Sequence, residues 1–369
     1  MKLNRPKLLN ILAAAKPGLA KKEIIQQAAH FIFTGDAVAT YNDLICIVYP
    51  YETDFRCSVH GEEFYRVLDS IKEDEVDIAV EDGQLLINSK KTKAGLSTLV
   101  GDEERVEKMI DSLREKTSGR KFWKNLPDGF SNGVFLCMFA ASKDLTTGVR
   151  CCVAVKDDRI YSTDSIRLSR YIMDDEIEGE MLIPATAAYE LVKYPIEKYG
   201  YSEGWVHFLT KDGVEFNCRT MVGVYPYNNI VKFFRDPREE ITLPEELKDV
   251  LKVAAMLATG DVDTAKSVEI TIDKDKITCK SEKERGWMIK TVDLEDYDGR
   301  KIIFWINPIL FAQILEKTTS FFVVQKEDFP DKAYFTTDSY QHVIALPSEE
   351  KDEDNEEEEK PEKKKGRTK

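Results

Sequence analysis

Three stretches of this 369-residue chain, each about 110 residues long, run through one order of elements: an amphipathic helix, strands, a second amphipathic helix, more strands. A repeat at domain length, unlike the 20–50-residue period of a solenoid, predicts tandem copies of one domain. Copies joined head to tail generate curved assemblies, and a rotation that closes gives a ring. Hydrophobic residues make up 42% of the chain, so each third carries enough apolar surface for a core of its own.

The repeat is legible in side-chain period. In the first third, Leu8, Ile11, Leu12 and Ala15 share one face of a helix over about residues 4–15, and Pro17-Gly18 stops it. HFIFTG and AVATYNDLICIVYPY read as strands. A second helix at about 60–72 buries Phe64, Val67, Leu68 and Ile71, and VDIAV and LLINSKK meet at the Asp82-Gly83 turn. In the second third, Phe130, Val134, Met138 and Ala141 form the helical stripe. GVRCCVAVKD and RIYSTDS flank Asp157-Asp158, and Pro184 opens a helix with Ala188, Leu191 and Val192. WVHFLT and VEFNCRTMV then flank Lys211-Asp212-Gly213. In the last third, Leu247, Val250, Leu251, Ala254 and Ala258 are the stripe, and SVEITID and KITCKSE flank Lys274-Asp275. A helix from Asn307-Pro308 buries Leu310, Ile314 and Leu315, and FFVVQ, AYFTT and HVIAL close the third. Tight turns between consecutive strands predict α+β architecture with antiparallel sheets, each third holding two helices packed on sheet. The expected domains are 1–121, 122–241 and 242–347.

Two segments stand outside the repeat. Residues 101–121 carry Val106, Met109, Ile110 and Leu113 at helical spacing and predict a short helix leading into the first inter-domain connection. Residues 348–369 hold ten acidic and seven basic side chains with no apolar residue except Pro361. Such a tail buries too little surface to order itself. It is a solubilising end, or a flexible arm whose final KKKGRTK touches nucleic acid or a partner.

The chemistry expected of the chain is sparse. Its seven cysteines, Cys46, Cys57, Cys137, Cys151, Cys152, Cys218 and Cys279, are odd in number and form no C-x-x-C, which fits a reduced, cytoplasmic compartment. No eighteen-residue apolar run occurs, and MKLNRPKLLNILAAAKPG is too short and too broken for a signal peptide, so a soluble chain away from membranes is expected. The four histidines, His30, His60, His207 and His342, lie in different elements without ligand spacing, and His207 and His342 sit in apolar strands as structural residues. Nucleotide-binding glycine motifs and the G-x-S-x-G nucleophile motif are missing. Asp157-Asp158 and Asp174-Asp175 read as solvated turns. No enzyme, no metal and no cofactor are therefore expected. The net charge of −14 argues against a uniformly basic nucleic-acid coat while leaving room for a basic stripe.

Four strings sharpen this reading: Gly95-Leu96-Ser97-Thr98-Leu99, Thr163-Asp164-Ser165-Ile166-Arg167-Leu168, the GVYPYNNIV run at 223–231, and the HVIALP run at 342–347. With the threefold repeat, the chain resembles the bacterial and bacteriophage β sliding clamp family of DNA polymerase processivity factors over nearly all of residues 1–347. The resemblance implies three tandem clamp-type domains, with two chains closing head to tail as a homodimer into a ring of six, helices toward the hole. It implies a protein that encircles double-stranded DNA without sequence preference, is opened by a clamp loader and tethers DNA polymerase. DNA-facing cations implied on the helices' polar faces are Lys7, Lys16, Arg66, Lys72, Lys143, Lys193, Lys198, Lys248 and Lys252. A ring holds by topology and needs only a few weak phosphate contacts, since many would grip too tightly for sliding.

The family also implies a cleft for short hydrophobic peptides. Its wall here is Thr163, Arg167, Leu168, Pro226, Val231, Asn307, Leu310, Ile344, Leu346 and Pro347. Of these, Leu168, Val231, Ile344 and Leu346 offer pockets for Leu and Phe anchors worth about 1.5–3 kcal/mol each. The implied ring interface uses Leu96 and Leu99 of one chain and Met256 and Leu257 of the other, through sheet-edge pairing. Ser165-Ile166 replaces the family's Gly-His, and Ala265 stands where the family has a pocket phenylalanine. The alternative is a clamp-fold adaptor or regulator that docks peptides and no longer encircles DNA.

Overall fold

The computed structural model describes residues 1–22, 24–99, 105–119, 121–236, 239–260, 265–284, 286–295, 297–324 and 330–347. Residues 348–369, read above as a charged tail, lie outside them. Eight helices punctuate the described chain: α1 (Arg5–Ala15), α2 (Gly61–Ser70), α3 (Arg105–Thr117), α4 (Phe130–Cys137), α5 (Ala185–Leu191), α6 (Tyr227–Ile230), α7 (Leu247–Ala254) and α8 (Pro308–Ile314). The contacts divide the chain into two compact units, 1–236 with 336–343, and 237–335 with 344 onward.

The first unit holds two turns of the repeat. Asn4 starts α1 by accepting from the Lys7 backbone N–H at 2.8 Å, and Pro6 fits the first turn. The helix buries the expected stripe of Leu8, Ile11, Leu12 and Ala15. Acidic Glu62 and Glu63 at the start of α2 suit its dipole. Helices pair within each copy, α1 with α2 and α4 with α5. A twelve-stranded antiparallel sheet runs continuously from the first copy to the second. Its seam is the pairing of strands Ile45–Pro50 and Glu215–Arg219, in register Val48↔Glu215 to Ile45↔Cys218.

Helix α3 lies on this sheet near the seam. Val106, Ile110 and Leu113 join one core cluster with Tyr41, Cys46 and Val48 of the first copy and Trp205 of the second. Polar ties fix it at both ends. Arg114 grips Asp36 with two bonds of 2.6 and 3.2 Å, Glu107 meets Arg56 at 2.6 Å, and Thr117 donates to Glu215 at 3.1 Å. Arg114 holds the Asp36 carboxyl at about 2, below the usual range.

The second unit contains a four-stranded antiparallel sheet in the order Gly286–Asp293, Lys276–Lys283, Val268–Asp273, Ile302–Ile306. Helices α7 and α8 pack together, and Ser281 donates to the Ala254 carbonyl at 2.9 Å. Phe304, Phe311, Phe321 and Phe335 cluster with ring centroids 5.3–6.4 Å apart.

Several local expectations are corrected. Asp157-Asp158 is no hairpin turn: it lies inside one long strand, Cys152–Thr163, as a bulge where register shifts and Asp157 takes φ +54°. Asp174-Asp175 likewise sits within the 18-residue strand Arg167–Pro184, both side chains exposed. Residues 145–151 form 3₁₀ turns ahead of the strand. AVATYNDLICIVYPY is two strands, Ala37–Tyr41 and Ile45–Pro50, joined where Asn42 Oδ1 accepts from the Leu44 and Ile45 N–H groups. Strands Gly286–Asp293 and Ile302–Ile306 had no reading in the sequence.

Candidate functional site

In the first unit, Thr163–Leu168 is a tight, fully bonded turn. Asp164 Oδ1 accepts from the Ile166 and Arg167 N–H groups at 3.0 and 2.9 Å, and Oδ2 accepts from Arg167 Nε at 2.9 Å. Thr163 donates to the Arg167 carbonyl at 2.7 Å and accepts from Ser165 N–H at 3.1 Å. Ser165 takes φ +80°, a conformation glycine enters without strain. Arg167 is only 7% exposed and lies over the Phe139 ring at 5.1 Å. Its role is to lock this turn, while Leu168 points to the other face of the strand.

That face can be followed by register. Thr163 opposes Leu168, Tyr161 opposes Arg170, and Arg159 opposes Ile172, so all six share one side of the hairpin. The 225–234 segment covers part of it: Tyr161 packs on Tyr227 at 5.6 Å and on Phe234 at 6.2 Å. Pro226 is half-buried, while Val231 and Phe233 remain exposed. Of the residues expected in the cleft wall, Leu168 lies on this face, with Pro226 and Val231 in the 225–234 segment. Arg170, which the register brings to the same stripe, and Phe234, which packs on it through Tyr161 and Arg170, had no reading in the sequence. On the opposite side, Ser169 bonds His342 Nδ1 at 2.7 Å, and His342 stacks on Phe139 at 4.9 Å. Burial, and then Arg167, hold His342 well below its ordinary pKa, so it is a neutral core residue.

In the second unit, Asn307 serves as the N-cap of α8, accepting from the Ile309 and Leu310 N–H groups at 3.0 and 3.1 Å. Leu310 is half-buried and Pro347 exposed. Ile344 has no exposed surface and Leu346 is buried, with its N–H bonded to the Asp331 carbonyl at 3.0 Å. Ile344, like Leu346 and, in the first unit, Leu168, is a buried side chain. Ala265 is exposed.

Two strands with an open flank bear on the expected ring interface. Strand Lys93–Leu99 bonds one neighbour through Lys93–Ser97, and the second side is used only at Thr98 and Leu99. Leu96 and Leu99 on it are half-buried. Strand Gly286–Asp293 ends its sheet, paired only with Lys276–Lys283. It presents Trp287 at 68% and Ile289 at 54% exposure, beside an α7 terminus whose Met256 is 76% exposed. Leu257 lies at the start of that strand, 4.0 Å from the position a Cβ would take on Gly286.

The predicted cations divide. Lys7, Arg66, Lys248 and Lys252 stand on helices; Lys16, Lys72 and Lys193 sit at helix ends. Arg66 pairs with Glu62, Lys193 with Glu190 and Lys252 with Asp249. Lys16 lies over the Tyr65 ring at 5.0 Å. Lys143 is in a loop and Lys198 on strand Ile196–Ser202, not on helix faces as expected. All but the half-buried Lys248 are exposed.

Among the described residues, no group of three His, Cys, Asp or Glu side chains could hold a metal. No described helix is long and apolar enough to cross a membrane. All seven cysteines are free and buried, and burial raises the Cys46 and Cys57 thiols to about 12.

No protein-family model matches the sequence, and no curated protein matches it. The structure, however, is similar to that of the beta subunit from DNA polymerase of Streptococcus pyogenes, at 17% identity and TM-score 0.76, over 94% of this chain and 99% of that one. The DNA polymerase III beta subunit of Thermotoga maritima gives 17% and 0.76 over 94% and 98%. The Helicobacter pylori beta clamp, solved bound to a DNA ligase peptide, gives 15% and 0.71 over 94% and 99%. At such identity the likeness is one of fold: this chain has the α+β, antiparallel-sheet fold of the beta clamps.

Proposed function

We propose that the chain is a sliding clamp: a non-enzymatic, cytoplasmic processivity factor that closes as a homodimer around double-stranded DNA and tethers DNA polymerase. The observation that carries the reading is the extent of the structural likeness. It runs over 94% of this chain and 98–99% of the beta subunits named above, so no domain of theirs lacks a counterpart. Three like domains, 1–121, 122–241 and 242–347, then make half a ring.

The open strand flanks support the head-to-tail seam. Lys93–Leu99 of one protomer extends the sheet ended by Gly286–Asp293 of the other, with Leu96 and Leu99 meeting Met256, Leu257 and Trp287. The cations on the helices and at their ends, exposed Lys7, Lys16, Arg66, Lys72, Lys193 and Lys252 and half-buried Lys248, attract the phosphate backbone weakly and without sequence preference, as sliding requires. Lys143 and Lys198 join them from a loop and a strand. In the first unit Leu168, Pro226 and Val231, and in the second unit Leu310, Leu346 and Pro347, are the side chains offered to short hydrophobic peptides from polymerase, loader and other partners. Thr163 and Arg167 fix the backbone of the first set, and Asn307 fixes the start of α8 beside Leu310, with Ile344 buried in the second unit.

The test is retention on nicked circular DNA, loaded by an ATP-driven loader, before and after linearisation. A clamp stays on the circle and is lost when it is cut. Peptide binding with no dependence on DNA topology would instead identify an adaptor.

A further inference from the structure

We infer that the strand face beside Leu168 selects docking peptides that carry an acidic residue next to their apolar anchors, with Arg170 as the group that reads it. The inference rests on the cleft proposed above and adds a charge requirement to it. Arg170 follows Leu168 on the same side of strand Arg167–Pro184, one step further along. Its guanidinium lies over the Phe234 ring, 4.3 Å from the centroid, and is half-buried. No hydrogen bond or ion pair occupies it among the described residues. The charged groups nearest in effect are Asp158, Asp236 and Arg159. Asp158 is bound to Arg159 at 3.3 Å, and Asp236 stands beyond ion-pair distance.

A planar fork held over an aromatic ring, with its donors unused, is a ready receptor for a carboxylate. Removal from water holds Arg170 below its ordinary pKa, a desolvation that an arriving carboxylate relieves. Its surroundings also fit a peptide. Ile172, next on the same side of the strand, and Val231 and Phe233, in the segment that runs into Phe234, are exposed apolar side chains, a rim able to exclude water from the new contact. A free phosphate would use the fork but none of that rim. A segment with Leu or Phe anchors and a neighbouring Asp or Glu uses both.

The experiment is fluorescence anisotropy with labelled nine-residue peptides bearing Leu and Phe anchors. Asp is placed in turn at each flanking position, with Asn and Lys twins. At one flank, Asp binds about fivefold to tenfold more tightly than Asn, the usual worth of a partly exposed charged hydrogen bond. Arg170→Gln levels the two, and Arg170→Glu turns the preference to the Lys peptide, a reversal that damage to the fold alone cannot produce. Equal binding of Asp and Asn peptides at every position, or a preference that survives Arg170→Gln, overturns the inference and leaves the cleft intact. Absence of binding by every anchored peptide overturns the cleft reading and this one with it.

Discussion

Trp287→Ala is the sharpest probe of the proposed ring. The side chain sits on an end strand with 68% of its surface free. A tryptophan offers about 250 Å², so about 170 Å² awaits a partner. Half of that area covered at a seam contributes about 2 kcal/mol at 25 cal/mol per Å². A two-protomer ring closes through two identical seams, so one substitution acts twice. The loss is about 4 kcal/mol, or about a thousandfold in the dimer dissociation constant. Sedimentation equilibrium across a dilution series measures it. Because Trp287 contributes little to its own core, the thermal unfolding of the monomer stays where it was. A dissociation constant within threefold of the unaltered chain would refute the seam.

Other expectations are more local. Ile110→Ala, which empties a core position under α3, lowers unfolding stability by about 3 kcal/mol in urea titrations, whereas Met109→Ala on the exposed side changes it by under about 1 kcal/mol. His207, whose Nδ1 and Nε2 bond Asn217 and Ser202 at 2.5 and 2.7 Å, is held by burial at about 4. The unfolded chain therefore binds more protons between pH about 6.5 and 4, and stability falls through that window, by about 3 kcal/mol when complete. Urea midpoints at pH 7 and 5 should show the fall, and His207→Gln should abolish it. Native thiols should resist an aromatic disulfide reagent until the chain unfolds, since burial raises the Cys279 thiol to about 11 and the others are also enclosed. One rapidly reacting cysteine in the native chain contradicts this.

Helical stripes were the most legible feature of the sequence. Leu247, Val250, Leu251 and Ala254 repeat at 3.6-residue spacing and are the residues α7 buries. The same held for α1 and for Val106, Ile110 and Leu113 of α3. Period alone fixes a helix face because its neighbours lie three and four residues away. Strand boundaries were less legible. Asp157-Asp158 has turn composition, yet pairing with strand Arg167–Pro184 on both sides absorbs it as a bulge. Trp287 and Ile289 alternate with polar residues like any half-buried strand, and nothing local says that their side of the sheet lacks a cover. The Thr163–Leu168 turn was found by resemblance, but Arg170 emerged only from cross-strand register, which depends on partners distant in sequence. The full burial of Ile344 was not legible, because an apolar strand residue looks the same whether it faces a cleft or a core.

The pairing of strands Ile45–Pro50 and Glu215–Arg219 has a consequence for anyone dissecting the chain. The two copies in the first unit share main-chain bonds, so cutting between them does not release two finished domains. Each fragment would carry a raw border of unsatisfied amides and carbonyls beside Ile47 or Phe216, able to recruit its own kind into extended aggregates. The duplication is thus physically indivisible at that joint, and deletion studies are better aimed at side chains than at chain termini.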